Sequence, residues 1–397
     1  MTHEVAITGF GVFTAFGFGA EALRDGVFAG RPGFTPVTRF DPAPYRATYA
    51  GTYEGDGPSV PDVPVKPGYT PTQAELLEAC AVEALRMAGT DGAGAPVLLG
   101  TNGDYAAARS FWEDRAAGHE PVDRRMLDSL PARLAHRLGE RLGLGRPRLA
   151  FVNACVASTN AIAHGAELIR SGAAHTVVCG GAYLVTEDVF AKFDSGKALS
   201  RRDAVRPFSA DRDGLLQGDG VAVLVLEDAA RASARGSEVL ARVTGWGMAA
   251  DAHHVIQPHP QGLGLAAAAG AALRRAGVEP GQLGYVNAHG TGTPLNDVAE
   301  TAALHRILRR HTAEVPVSST KSSTGHMLEA TGAVEAVITL LALRDGVLPP
   351  TAGLTDPDPA CDLHHVPGTA RPARIERALS LNAAFGGVNA ALLLERA

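Results

Sequence analysis

The chain has 397 residues, 46% of them apolar and 20% charged, with a formal net charge of −6. That length supplies a large core and more than one structural unit, while the lack of a polybasic run and of a long apolar stretch excludes a nucleic-acid partner and a membrane span. Its four cysteines, Cys80, Cys155, Cys179 and Cys361, are scattered and form no CxxC pair, which excludes a disulfide framework and a structural zinc site and fits a reducing cytoplasm.

The first residues, MTHEVAITGFGVFTAFG, show no basic region leading into an apolar stretch and a cleavage site, so no leader peptide is expected there. Residues 4–9 read as a buried strand and Glu21–Phe28 as a short helix. GFGVFTAFGFG lacks the G-x-G-x-x-G spacing and the later acidic residue of a dinucleotide loop. Residues 31–70, rich in Pro, Gly, Tyr and Thr, read as a surface excursion. Thr72–Ala88 is helical in pattern and takes Cys80 into its core face. A strand is expected at 96–101, a loop or helix from Asn102 to Trp112, and an arginine-rich amphipathic helix over 123–142.

Leu149–Val152 is a β-leaning run that breaks at Asn153–Ala154, delivers Cys155 and passes directly into a helical pattern. Ile162, Ala166 and Ile169 share one face of that helix and Gly172 stops it. Residues 175–182 form a second buried strand, with Cys179 in its packing, and 221–227 a third. After a short helix at 229–235 the order restarts. A strand at 239–247, a helix at 264–277, a strand into a polar turn at 283–292 and a helix at 298–308 follow. VPVSSTK (315–321) reads as strand and loop, 330–346 as a long apolar helix, and 378–397 as two strands around a glycine turn. The alternation predicts an α/β protein of two similar halves stacked back to back, residues 1–235 and 236–397, repeating in element order without visible identity.

A cysteine on a strand-to-helix turn meets unpaired N–H groups and the positive end of a helix dipole, which favours thiolate and nucleophilicity. Read alone, Cys155 is also a small core residue. Three polar clusters in the second half stand at strand-to-loop transitions, where α/β folds present their sites. VNAHGTGTPLND carries His289; SSTKSSTGHMLEATGAVEA carries Lys321, His326 and Glu335; NAAFGGVNAALL carries Phe385. Each histidine alone is a satisfied structural residue, but five such groups on such turns point to one site.

NACVAST, NAHGTGTPLND, STKSSTGHMLEATGAVEA and FGGVNAALL, in that order, closely resemble the β-ketoacyl synthases, the thiolase-fold condensing enzymes of fatty-acid and polyketide assembly. The resemblance runs from VAITGFGV through RPFSADRDGLLQGDG to the end of the chain, and is to the elongating, stand-alone type with two histidines. It implies a thiolase-like, five-layered αβαβα fold. It implies further that Cys155 accepts an acyl chain as a thioester and that His289 and His326 assist decarboxylation of a malonyl unit. Lys321 orders the site and pairs with Glu335; Phe385 is the gate, its N–H and that of Cys155 forming the oxyanion hole; Thr291 and Thr293 touch substrate.

Such a reaction needs no metal or other cofactor, since neutral imidazoles can donate to an enolate oxygen and backbone amides to an oxyanion. A soft thiolate suits thioester exchange, and a buried lysine needs a partner such as Glu335. The resemblance implies an acyl carrier protein as partner, with Arg124, Arg125, Arg201 and Arg202 as candidate docking residues. It also implies a dimer, either of two copies or with a ketosynthase-like chain-length factor. Val156 after the nucleophile, Ala383–Ala384 before the gate, Val388, and the stretch Asn102–Trp112 depart from the common housekeeping pattern. They favour type II polyketide or other specialised-metabolite assembly over housekeeping fatty-acid elongation. A non-catalytic chain-length partner would lack Cys155; a coenzyme A thiolase would carry a second cysteine near His326; a thiol hydrolase leaves Lys321 and Glu335 without a role.

Overall fold

The computed structural model describes residues 3–55, 61, 71–120, 126–127 and 129–397. Ten strands build the core: β1 (Val5–Thr14), β2 (Val97–Gly100), β3 (Arg148–Phe151), β4 (Thr176–Tyr183), β5 (Gly220–Asp228), β6 (Ala241–Ala250), β7 (Tyr285–Asn287), β8 (Val317–Ser318), β9 (Arg377–Ala384) and β10 (Val388–Arg396). With the two-residue strand Gly17–Phe18 paired to β1, they form one mixed sheet in the order β8–β7–β9–β10–β6–β1–β5–β4–β2–β3. Each side of the β6–β1 contact repeats one plan. The first strand pairs antiparallel with the fifth and the fifth antiparallel with the fourth, while the fourth, second and third run parallel. The two sides touch through Ala6–Arg242 and Ile7–Ala241. β1, β5 and most of β4 are buried at every position, so they read as unbroken apolar runs rather than alternating ones.

Among the described residues, eight α-helices of nine residues or more accompany the sheet: α1 (Gln73–Ala88), α2 (Tyr105–Ala116), α3 (Pro131–Arg141), α4 (Ala157–Arg170), α5 (Glu187–Ser195), α6 (Leu263–Ala276), α7 (Pro294–Leu308) and α8 (Thr331–Asp345). α8 is buried without a break from Thr331 to Leu343. A helix apolar all round has no face to give to water and must lie inside. It does so beside α4, and the two pack against strands of both halves. α1 and α3 cover one outer face and α6 and α7 the other, which gives the five αβαβα layers. The α4–α8 crossing is close because position 332 is glycine: a Cβ there would stand 2.0 Å from Thr159 Oγ1.

The expected helix over 123–142 is realised as α3, which starts at Pro131; residues 121–125 and 128, including Arg124 and Arg125, lie outside the described residues. The helix expected from 298 begins earlier, at Pro294. In both, proline occupies the first turn, where its missing N–H costs no hydrogen bond. The helix expected at Glu21–Phe28 is one α-turn (Ala20–Leu23) that widens into π geometry. β3, the strand leading to Cys155, is an edge strand, with Leu149 40% and Val152 55% exposed. The opposite edge, β8, is buried and closed by backbone hydrogen bonds between Val317 and the His364–Val366 segment. No helix among the described residues is long and apolar enough to cross a membrane.

Candidate active site

Cys155 sits in a single 3₁₀ turn (Ala154–Val156) between β3 and α4. Ala154, just before it, has φ +54°, a left-handed conformation that a non-glycine residue keeps only when its surroundings impose it. His326 follows Gly325 (φ +73°) and is held by its own backbone, its N–H donating to Leu216 O at 2.7 Å and its carbonyl accepting from Gly218 N at 3.0 Å. The result brings His326 Nε2 to 3.0 Å from Cys155 Sγ, with Nδ1 3.1 Å from Thr331 Oγ1 at the start of α8. His289 stands just past the end of β7. Its ring lies edge-on to His326, centroids 5.3 Å apart. Glu300 on α7 fixes the turn by accepting the N–H groups of His289 (2.6 Å) and Gly290 (2.7 Å).

Behind the histidines, Lys321 is fully buried and donates to Glu335 Oε1 at 2.6 Å. Glu335 Oε2 accepts from Asn382 Nδ2 at 2.7 Å, and Asn382 Oδ1 accepts from Thr159 at 2.5 Å. This chain ties the loop after β8, helix α8, strand β9 and helix α4 to one another. Every member is paired, as a buried polar network requires.

Cys155, His289, His326, Thr291, Thr293 and Phe385 line one cavity of about 340 Å³, together with Ala383 and Ala384. Lys321 and Glu335 do not reach it and act from behind. The Thr291 and Thr293 hydroxyls are 2.8 Å apart. Phe385 is 44% exposed, stacks on Phe193 at 5.7 Å, and precedes Gly386 and Gly387, whose φ values of +86° and +72° close the β9–β10 hairpin. Among the described residues the Phe385 N–H has no acceptor. Arg202 pairs with Asp211 at 2.5 Å and lies 3.9 Å from Asp213, a cavity-lining residue, while Arg201 makes no ion pair among the described residues.

Burial decides the protonation states. It pushes the Cys155 thiol up to about 12, with Glu329 adding to the rise and Lys321 opposing it. Burial and the Lys321 charge hold both histidines well below the ordinary imidazole value, His289 also feeling His326. The helix-start turn expected to favour a thiolate is there, but burial acts against it and favours a thiol beside a neutral imidazole. Burial also raises Glu300 to about 7 and lifts Glu335, the latter opposed by Lys321.

Glu300, Asn382, Thr159 and Thr331 were not singled out in the sequence. Glu300 alone had a signal: with Asp297 it places two acids three apart on a helix face otherwise buried with Ala303 and Leu304.

The description "Beta-ketoacyl synthase, N-terminal domain" matches residues 2–232 and "Beta-ketoacyl synthase, C-terminal domain" matches residues 240–355. The chain is 34% identical to the 3-oxoacyl-[acyl-carrier-protein] synthase 2 of Synechocystis sp., covering 99% of this chain and 98% of that one. It is 36% identical to the tetracenomycin polyketide synthase ketoacyl synthase alpha subunit of Streptomyces glaucescens, over 99% and 97%. The solved structure of the ishigamide ketosynthase/chain length factor superposes with a TM-score of 0.90 at 32% identity, covering all of both chains. Matched along both halves and over nearly its whole length, the chain belongs to the β-ketoacyl synthase family.

Proposed function

We propose that the protein elongates an acyl chain held on Cys155 by decarboxylative Claisen condensation with a malonyl unit, both delivered on the phosphopantetheine of an acyl carrier protein. The observation that carries this reading is the 3.0 Å contact between Cys155 Sγ and His326 Nε2 in a cavity that His289 also faces. In the first step Sγ attacks the acyl thioester carbonyl, its proton passes to His326 Nε2, and the departing carrier thiolate takes that proton. The Cys155 and Phe385 amides would supply the two donors to the transient oxyanion. In the second, His289 and His326 donate to the malonyl thioester oxygen, carbon dioxide leaves, and the enolate carbon attacks the acyl carbonyl. The sulfur is expelled as thiolate and takes up a proton through His326. Because the Thr331 hydroxyl can accept from or donate to Nδ1, it serves both tautomers that His326 needs. Lys321, anchored by Glu335, keeps the histidines neutral, and the reaction calls on no metal or other cofactor. Cys155→Ala should form no acyl-enzyme and no condensation product yet still release carbon dioxide from malonyl carrier; normal condensation by this variant overturns the reading.

Type II polyketide or another specialised assembly is the better-supported setting, with housekeeping fatty-acid elongation the alternative. The support is the presence of Asn102, Tyr105 and Glu329 in the otherwise mostly apolar wall of the space behind Cys155. Cys155 in working contact with a histidine disfavours a non-catalytic chain-length subunit. Four free, buried cysteines suit a reducing cytoplasm. The unpaired β3 edge, with its exposed Leu149 and Val152, suits a second subunit, either a second copy or a chain-length factor. Light scattering should find a dimer, alone or with a co-expressed partner; a fully active monomer at micromolar concentration contradicts this.

An acidic carrier would meet the basic rim at Arg201 and Arg202. Since Arg202 is already paired to Asp211, Arg201→Glu should weaken use of carrier-bound substrate more than Arg202→Glu does. Neither should alter use of a small free thioester as much, and the effect should fade with added salt. Equal loss on both substrate forms removes the docking role.

A further inference from the structure

A second cavity, about 170 Å³, opens on the other side of Cys155. It shares Cys155, Phe193 and Phe385 with the first but neither histidine. An acyl group on Sγ can therefore occupy it while the malonyl unit uses the histidine side. This placement rests on the condensing reading above. Its wall is unusual for a space that would take an alkyl chain. Glu329, 7% exposed, lines it, and among the described residues the carboxyl accepts no hydrogen bond from another residue and forms no ion pair. Other polar residues of the same wall have partners elsewhere. Tyr183 donates to Gln217 at 2.9 Å, and the Lys192 ammonium lies over the Tyr105 ring at 4.9 Å. Asn102 donates to the Tyr105 hydroxyl at 2.7 Å.

Glu329 is fixed there by backbone geometry. It is the middle residue of the 3₁₀ turn Leu328–Ala330, whose first residue has φ +40°. Its carbonyl lies 2.9 Å from where a Cβ on Gly181 would stand, so the turn sits directly on β4. A buried carboxyl without a partner is costly, and the cost is relieved when the occupant supplies one. Burial raises its pKa to about 7, so near neutral pH it can accept from a hydroxyl as carboxylate or donate to a carbonyl as acid.

We propose that Glu329 selects acyl chains bearing an oxygen function within a few carbons of the thioester over saturated chains of the same length. A saturated chain strips the carboxyl of its remaining water and returns nothing. A 3-hydroxyl or 3-oxo group completes its hydrogen bonding.

The test is the rate of Cys155 acylation, followed by intact mass, with N-acetylcysteamine thioesters of butyrate, 3-hydroxybutyrate and acetoacetate. Wild type should favour the oxygenated acyl groups over butyryl by about 10–100-fold, the range expected when a built hydrogen-bonding site meets an apolar analogue. Glu329→Leu should erase or invert that ratio, and Glu329→Gln, which keeps the shape and a hydrogen-bonding amide, should retain most of it. Equal wild-type rates for butyryl and the oxygenated groups overturn the proposal, whether or not the leucine variant folds, as does an unchanged ratio in a folded Glu329→Leu. Failure of every thioester to label Cys155 would instead sink the condensing reading, and this inference with it.

Discussion

His326→Ala should slow both half-reactions, whereas His289→Ala should slow only the second. Among the described residues His326 is the side chain hydrogen-bonded to the sulfur, at 3.0 Å, and burial favours the thiol, so attack on a thioester calls for a base at that position. Loss of such a base costs about 10²–10⁴ in rate. His289 faces the cavity without reaching Sγ, so its removal deletes one donor to the enolate, about 10²–10³ in decarboxylation, and leaves acyl transfer near wild type. Label transfer from acyl carrier reads the first step and carbon dioxide release the second. Wild-type acylation by His326→Ala would mean that Cys155 ionises unaided; equal loss of both steps in His289→Ala would reduce His289 to a structural residue held by Glu300.

Lys321→Met should be the most destabilising single change at the site. It leaves the Glu335 carboxyl buried with only Asn382 to support it, and removing one partner of a buried ion pair costs about 3–5 kcal/mol. The catalytic consequence is separate from the stability loss. The Lys321 charge is one of the causes holding both histidines below the ordinary imidazole value, so without it their titration midpoints should rise. Ring-proton NMR of folded Lys321→Met checks the sign. Unchanged midpoints would confine Lys321 to a structural part.

The nucleophile, both histidines, the lysine and its acid were legible because each stands in a local pattern, an apolar strand giving way to a polar or glycine-bearing turn. α8 was legible because an apolar run of that length has one place to go. The network behind the site was not. Thr159 and Asn382 are short polar residues inside apolar runs, and they meet across 223 positions, a contact with no trace in either neighbourhood. The burial that opposes a thiolate at Cys155 was hidden for a related reason: a helix start is local, but the enclosure around it comes largely from the other half of the chain. Leu149–Val152 looked like any buried strand. Its apolar character is the same whether the next strand belongs to this chain or to a second subunit, and only the sheet order shows that it lies at an edge.

The most direct measurement follows the acyl group itself. Wild-type protein is loaded with acyl carrier thioester, the adduct is mapped by peptide mass, and malonyl carrier is then added. The account predicts an adduct on Cys155 and on none of Cys80, Cys179 or Cys361, discharged by malonyl carrier with one carbon dioxide released and one 3-oxoacyl carrier formed per acyl group lost. An adduct on another residue, or a Cys155 adduct that water discharges as fast as malonyl carrier does, would contradict it.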